Sequence, residues 1–185
     1  MRLVVDLRTA AEVRMEGDGP LVGRIEIRHR DLWPETNSLR DTLISRAPGE
    51  NPAVGFYLGY LENRPDSILA ALDDIASSEG GVIVHCAAGK DRTGIVVALA
   101  LTAVGVPWDA ILEDYLATGE RIVAVSARLR SSETYRADLE GTPDEKRIPL
   151  AETLERVFAS LDGGPAGWLA SQGFDPTALR ARLAE

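Results

Sequence analysis

The run from Val82 to Val104 constrains this chain more than any other stretch. Val82-Ile83-Val84 is short, apolar and β-branched, which suits a buried strand. Ile95 to Val104 is apolar almost all round and free of proline, which suits a buried helix. Gly105 and Pro107 then supply a helix-ending pair. Everything between has to be a tight loop: His85-Cys86-Ala87-Ala88-Gly89-Lys90-Asp91-Arg92-Thr93-Gly94. We expect an α/β domain of three layers, a small, mostly parallel central sheet flanked by helices on both sides. Open α/β sheets bind ligands outside the carboxyl ends of their strands, which here is the edge where His85 falls.

The loop's residue types suit phosphate. A strand-to-helix turn aims successive backbone N–H groups, here those of Ala87 to Arg92, into one concavity, and the helix N-terminus adds partial positive charge. Gly89 frees the backbone to curl round an anion, and Gly94 lets the helix pack closely. Arg92 offers a two-pronged fork for phosphate oxygens. Cys86, at the mouth of that positive field, is placed to react as a thiolate nucleophile at phosphorus. Thr93 can donate a hydrogen bond to the sulfur when it later leaves. A nucleotide-type phosphate loop is excluded, because Gly89-Lys90 is followed by Asp91 and Val84 stands where the first glycine would be.

The run His85 to Gly94 resembles the loop of the cysteine-based tyrosine phosphatases: His-Cys, five residues, Arg, then Ser or Thr. Its Gly-Lys-Asp-Arg-Thr-Gly version is similar to a bacterial branch of tyrosine and dual-specificity phosphatases, some of which also hydrolyse phosphoinositides. The resemblance implies a tyrosine-phosphatase-like fold and hydrolysis of phosphate monoesters through a phosphocysteine. In that reading Cys86 attacks and Arg92 clamps the phosphoryl group. Ala87, Ala88, Gly89, Lys90, Thr93 and Gly94 line the substrate site. No metal or cofactor is required, since arginine and backbone dipoles supply the charge. The expected partner is a phosphorylated protein, peptide or phosphoinositide. The leaving oxygen needs a proton. Asp91 is the first candidate for the acid, with Asp31 and Glu35 as rivals, because Trp33-Pro34-Glu35 resembles the Trp-Pro-Asp acid loop of many tyrosine phosphatases. His85 is expected to brace the loop through a backbone hydrogen bond, and Asp6 to sit at a strand end behind the site.

Composition narrows the alternatives. A net charge of −9 argues against general nucleic-acid binding and against broad adhesion to anionic membranes. One cysteine forbids an internal disulfide and fits a reducing compartment. No apolar run approaches a bilayer span, so stable membrane insertion is not expected and a cytoplasmic location is the default. We expect residues 1–185 to form a single domain.

The rest of the chain reads as helices joined by breakers. Leu3 to Arg8 is a strand, and Thr9 with Glu12 forms a capping box opening a short helix. In the resembling branch this run commonly follows a longer N-terminal segment, so the chain is expected to be shortened or to continue upstream. Gly23 to His29 is a half-exposed strand. Asn37 to Pro52 is expected to be a cover over the site. Ala53–Asn63 and Ser67–Ser77 are helical, with Tyr57 and Tyr60 as packing residues. Trp108–Ala117 is a helix with Tyr115 in the core, Thr118–Leu129 continues as helix, and Ser131–Pro149 reads as loop. Leu150–Leu161, Trp168–Gly173 and Pro176–Leu183 close the domain. Three other readings stay open: a phosphoinositide phosphatase, a phosphate-binding module without turnover, and a sulfur-transfer enzyme, against which the Arg92-Thr93 pair argues.

Overall fold

The computed structural model describes residues 1–33 and 51–183. Three short strands form a parallel sheet in the order β2-β1-β3: β1 is Leu3–Asp6, β2 is Glu26–His29 and β3 is Val82–His85. The central strand is buried along its whole length, and the edge strands are half-covered or exposed. This follows from composition, because Leu3-Val4-Val5 has no polar side chain to offer water, whereas Glu26 and Arg28 alternate with Ile27. The register sets Asp6 opposite both His29 and His85, so the carboxyl edge of the sheet gathers one carboxylate between two imidazoles.

Helix α1 (Ala10–Glu16) follows β1 and carries the expected capping box, with Thr9 accepting from the Glu12 N–H and Glu12 accepting from the Thr9 N–H. Helices α2 (Pro52–Asn63) and α3 (Pro65–Ser77) each open on a proline, whose missing N–H costs nothing in a first turn. Helix α4 (Asp91–Ala103) leaves the loop after β3 and buries Ile95, Val96, Leu99 and Ala103. It threads the main core, where Val5, Leu7, Tyr57, Ile68, Leu72, Leu154 and Leu179 meet it. Helix α5 (Trp108–Ala117), a 3₁₀ turn at Thr118–Arg121 and α6 (Ile122–Ser131) follow.

The stretch expected to be loop, Ser131–Pro149, instead holds a short helix α7 (Arg136–Leu139) and a 3₁₀ turn at Asp144–Arg147. Elements this short carry no readable periodicity and exist only through tertiary packing. Leu129, Tyr135 and Leu139 form a second small apolar cluster that packs on Ala87 and Ala88 of the cysteine loop. The region past α5 therefore braces the loop from outside. Helices α8 (Ala151–Ala159), α9 (Gly164–Ser171) and α10 (Thr177–Leu183) complete the chain, and α10 lies against α3. Among the described residues no helix is long and apolar enough to cross a membrane.

Candidate active site

Strand β3 ends at His85 and delivers Cys86 to the carboxyl edge of the sheet, buried in the main core. The loop then turns through Gly89 at φ +66, a backbone angle open to glycine and strained for other residues. Helix α4 starts at Asp91. Gly94 faces the Tyr115 ring so closely that an added Cβ would lie 2.9 Å from it, so the close helix packing expected of this glycine is what the structure uses it for. His85 Nδ1 lies 3.1 Å from the Cys86 carbonyl oxygen, the expected brace. The Thr93 hydroxyl is buried and has no hydrogen-bond partner among the described residues. A buried hydroxyl without a fixed acceptor keeps its proton available to a transient partner.

Arg92 is buried, and three of its contacts fix the orientation of its guanidinium. Nη1 donates to Glu12 Oε2 at 2.6 Å and to the Leu7 carbonyl at 3.2 Å, and Nη2 donates to Glu12 Oε1 at 2.8 Å. Guanidinium has five N–H donors in a planar fork. Glu12 takes the end formed by Nη1 and Nη2, and Leu7 takes the remaining Nη1 proton. The edge formed by Nε and Nη2 has no acceptor among the described residues, and it is the edge that fits two phosphate oxygens. Burial by itself would lower the Arg92 pKa, but Glu12 and the nearby sulfur overcome this and raise it, so the cation is secure. Glu12 shows the converse: burial pushes its carboxyl up, yet Arg92 and Thr9 together hold it below the usual range. Glu12 was legible in the sequence only as a capping residue; its second task depends on a contact 80 residues away.

Asp91, the first residue of α4, is tied on one oxygen. Oδ1 accepts from Lys90 Nζ at 2.6 Å and from the Tyr57 hydroxyl at 2.9 Å. Tyr57 has one proton, and that goes to Asp91, so the Tyr115 hydroxyl at 2.8 Å is the donor to Tyr57. Burial raises the pKa of Tyr57 well above its ordinary value and that of Tyr115 to about 12, so both act as neutral donors. Tyr57 was expected only to pack; it packs and also orients Asp91. Oδ2 of Asp91 has no donor among the described residues.

Asp31 lies just past β2, where its carboxylate accepts from the Trp33 N–H at 2.7 Å. Burial raises its pKa, against the opposing charges of Arg64 and Arg92. Glu35, the other rival, lies outside the described residues, as does most of the stretch expected to cover the site. Asp6 is spent on Arg8, which donates to both of its oxygens at 2.6 to 3.0 Å. His85 Nε2 stands 3.8 Å from Asp6. Asp6, Asp18 and His29 are close enough together to share a cation, but both oxygens of Asp6 already serve Arg8. Tyr135 is buried beside Glu12 and Arg8, near enough to feel both charges, and burial pushes its pKa up to about 12.

The model of the tyrosine phosphatase family matches residues 1–185. The chain is 30% identical over 179 residues to a tyrosine-protein phosphatase of Nostoc commune, covering 93% of this chain and 54% of that protein. It is 46% identical over 77 residues to the triple specificity protein phosphatase PtpB of Mycobacterium tuberculosis, covering 42% of this chain and 28% of that protein. The chain thus spans about half, or less, of the length of these curated relatives.

Proposed function

This chain belongs to the tyrosine phosphatase family, and we propose that it hydrolyses phosphate monoesters of tyrosine, with dual-specificity scope, through a phosphocysteine. The observation that carries this reading is the half-occupied guanidinium of Arg92. Its end is locked by Glu12 and Leu7, its Nε/Nη2 edge has no acceptor among the described residues, and the guanidinium is near enough to Cys86 to feel the charge of its sulfur. A bound phosphoryl group takes that edge and the loop N–H groups of residues 87 to 92. Arg92 then stabilises the equatorial oxygens as charge spreads over them.

In the first step Cys86 Sγ attacks phosphorus. The S–P bond forms, the P–O bond to the substrate breaks, and the leaving oxygen takes a proton from Asp91. In the second step water attacks phosphorus, Asp91 takes a proton from it, and the S–P bond breaks with Thr93 donating to the departing sulfur. Asp91 suits the role because Tyr57 and Lys90 hold one oxygen and the other has no donor among the described residues. Asp31 is the second reading for the acid, favoured by a carboxyl that burial pushes up. The phosphoinositide reading rests on the Gly-Lys-Asp-Arg-Thr-Gly resemblance; Lys90 gives one of its three ammonium protons to Asp91, which does not exclude a further phosphate contact.

The test is turnover of an aryl phosphate in the presence of a chelator. Wild type should hydrolyse it, and Cys86→Ser should fall below about 10⁻⁴ of that rate. Retained turnover in Cys86→Ser would sink the mechanism, and phosphate binding by an inert wild type would make the chain a binding module. Profiles of rate against pH for Asp91→Asn and Asp31→Asn identify the acid, since only its variant should lose the basic limb. A panel of phosphotyrosine, phosphoserine and phosphoinositide substrates ranks the substrate classes.

A further inference from the structure

Helix α5 buries two residues, Ile111 and Tyr115. Ile111 is apolar, and an apolar ring at position 115 would fill the same space as the tyrosine. The Tyr115 hydroxyl is instead a polar group withdrawn from water, which is costly without a partner. Among the described residues it has one, the Tyr57 hydroxyl at 2.8 Å. The Tyr115 ring meets the Tyr57 ring edge-on, with centroids 6.4 Å apart and planes at 88°. It comes this close to α4 only because position 94 is glycine, where an added Cβ would lie 2.9 Å from the ring. At the other end of α5, Trp108 packs on Phe158 of α8, so the helix that carries Tyr115 is held at both ends.

The hydrogen bonds from Tyr115 to Asp91 have a direction. Burial keeps both phenols protonated, and each has a single proton to give. Oδ1 of Asp91 lies 2.9 Å from the Tyr57 hydroxyl and also accepts from Lys90 Nζ. In one arrangement Tyr115 donates to Tyr57 and Tyr57 donates to Oδ1. With two donors aimed at it Oδ1 holds no proton, and a protonated Asp91 carries its proton on Oδ2. In the reverse arrangement Oδ1 carries the proton and gives it to Tyr57, and Tyr57 gives its own to Tyr115. The Tyr115 proton is then left without an acceptor among the described residues, a buried donor unsatisfied. The proton of Asp91 is also engaged by Tyr57 and withheld from a leaving oxygen.

We propose that Tyr115 is a positioning residue for the acid step: by giving its proton to Tyr57 it fixes the direction of the chain and confines the transferable proton of Asp91 to Oδ2. Tyr115 acts through Tyr57 and makes no hydrogen bond to Asp91 itself. The proposal rests on the reading of Asp91 as the acid. Tyr115→Phe keeps the ring and removes only the proton that sets the direction, which frees Tyr57 to accept from Oδ1.

The experiment compares kcat/KM on two esters. Phenyl phosphate has a leaving group like tyrosine, which needs the proton, and 4-nitrophenyl phosphate has one that needs it little. Asp91→Asn should lose about a hundredfold on phenyl phosphate and far less on the nitrophenyl ester. Tyr115→Phe should lose about threefold on phenyl phosphate and stay within about 1.5-fold of wild type on the other, and Tyr57→Phe should show the same dependence on the ester. Added to Asp91→Asn or to Tyr57→Phe, Tyr115→Phe should change neither rate by more than about 1.5-fold, since it acts through both residues. Equal losses on the two esters, no loss on phenyl phosphate, or a loss that persists in the Asp91→Asn background would overturn the proposal and leave Tyr115 a packing residue. Equal losses on the two esters in Asp91→Asn itself would instead reject the acid, and the proposal with it.

Discussion

Two buried carboxylate–guanidinium pairs lie side by side at the carboxyl edge of the sheet, and they differ in what they leave open. Asp6 and Arg8 are two residues apart, and the Nε/Nη2 edge of the fork is closed: Arg8 uses Nε and Nη2 on Asp6, and Nη2 also reaches the Gly17 carbonyl. Glu12 and Arg92 are 80 residues apart, and the pair is half open, because Glu12 holds one end of the fork and the Nε/Nη2 edge has no acceptor among the described residues. The closed pair ties β1 to the turn that follows it. On the proposed function, the open pair presents a fixed cation to the phosphoryl group. A buried ion pair is weak evidence of stabilisation, since desolvation offsets much of the attraction. Which donors remain unused says more about purpose than the pairing itself.

That contrast can be broken by removing each acid in turn. The largest effect is expected from Asp6→Ala, which strands the Arg8 guanidinium in a buried site. Unfolding free energy in urea should fall by about 3–5 kcal/mol, with the rate per folded molecule changing little. A loss under 1 kcal/mol would show that the closed pair is not structural. Glu12→Gln should do the reverse. Arg92 keeps a neighbour but loses its anchoring charge, and kcat/KM on an aryl phosphate should drop about a hundredfold, as misplaced catalytic groups do. An unchanged kcat/KM would mean that Leu7 and packing hold Arg92 without Glu12.

The same contrast sharpens at Asp91. Tyr57→Phe removes one of its two donors and should lower kcat about fivefold, the worth of one hydrogen bond of about 1 kcal/mol. No loss in kcat would leave Lys90 as the only support that matters.

The smallest effect is in acid. Glu12 and Asp6 both have folded pKa values held below their ordinary 4.5 and 3.8. Each therefore contributes stability that is fully present above its ordinary value and is lost as pH falls through its folded value. The urea midpoint should begin to drop below about pH 4.5, and Glu12→Gln should flatten the first part of that drop. Asp31 has the opposite sign. Its pKa is raised, so its protonation on acidification adds a little stability, and Asp31→Asn should remove that rise. A midpoint in Asp31→Asn that does not fall between pH 5 and 3 would contradict the assignment of Glu12 and Asp6.

Much of the local architecture was legible in the residues themselves. The Thr9–Glu12 capping box, the buried helix after the loop and the ends of α2 and α3 fall where the caps and periodicity put them. The pieces of Ser131–Pro149 did not, because α7 is a single turn stabilised by Leu139 and Tyr135 packing against the loop. The candidate site divides in the same way. Cys86, Gly89 and Arg92 were readable because a strand, a turn and a helix N-terminus form from neighbouring residues. Tyr57, 34 residues from Asp91, read only as a packing aromatic.

By itself the sequence determined an α/β chain with a tight cysteine loop between a strand and a buried helix, because short-range sterics and backbone dipoles depend on adjacent residues alone. Only the tertiary structure decided which acid locks Arg92, which end of its fork that acid takes and which tyrosines line up behind Asp91. Those are contacts between segments distant along the chain, made when the sheet brings its carboxyl ends together, and composition and spacing carry no record of them.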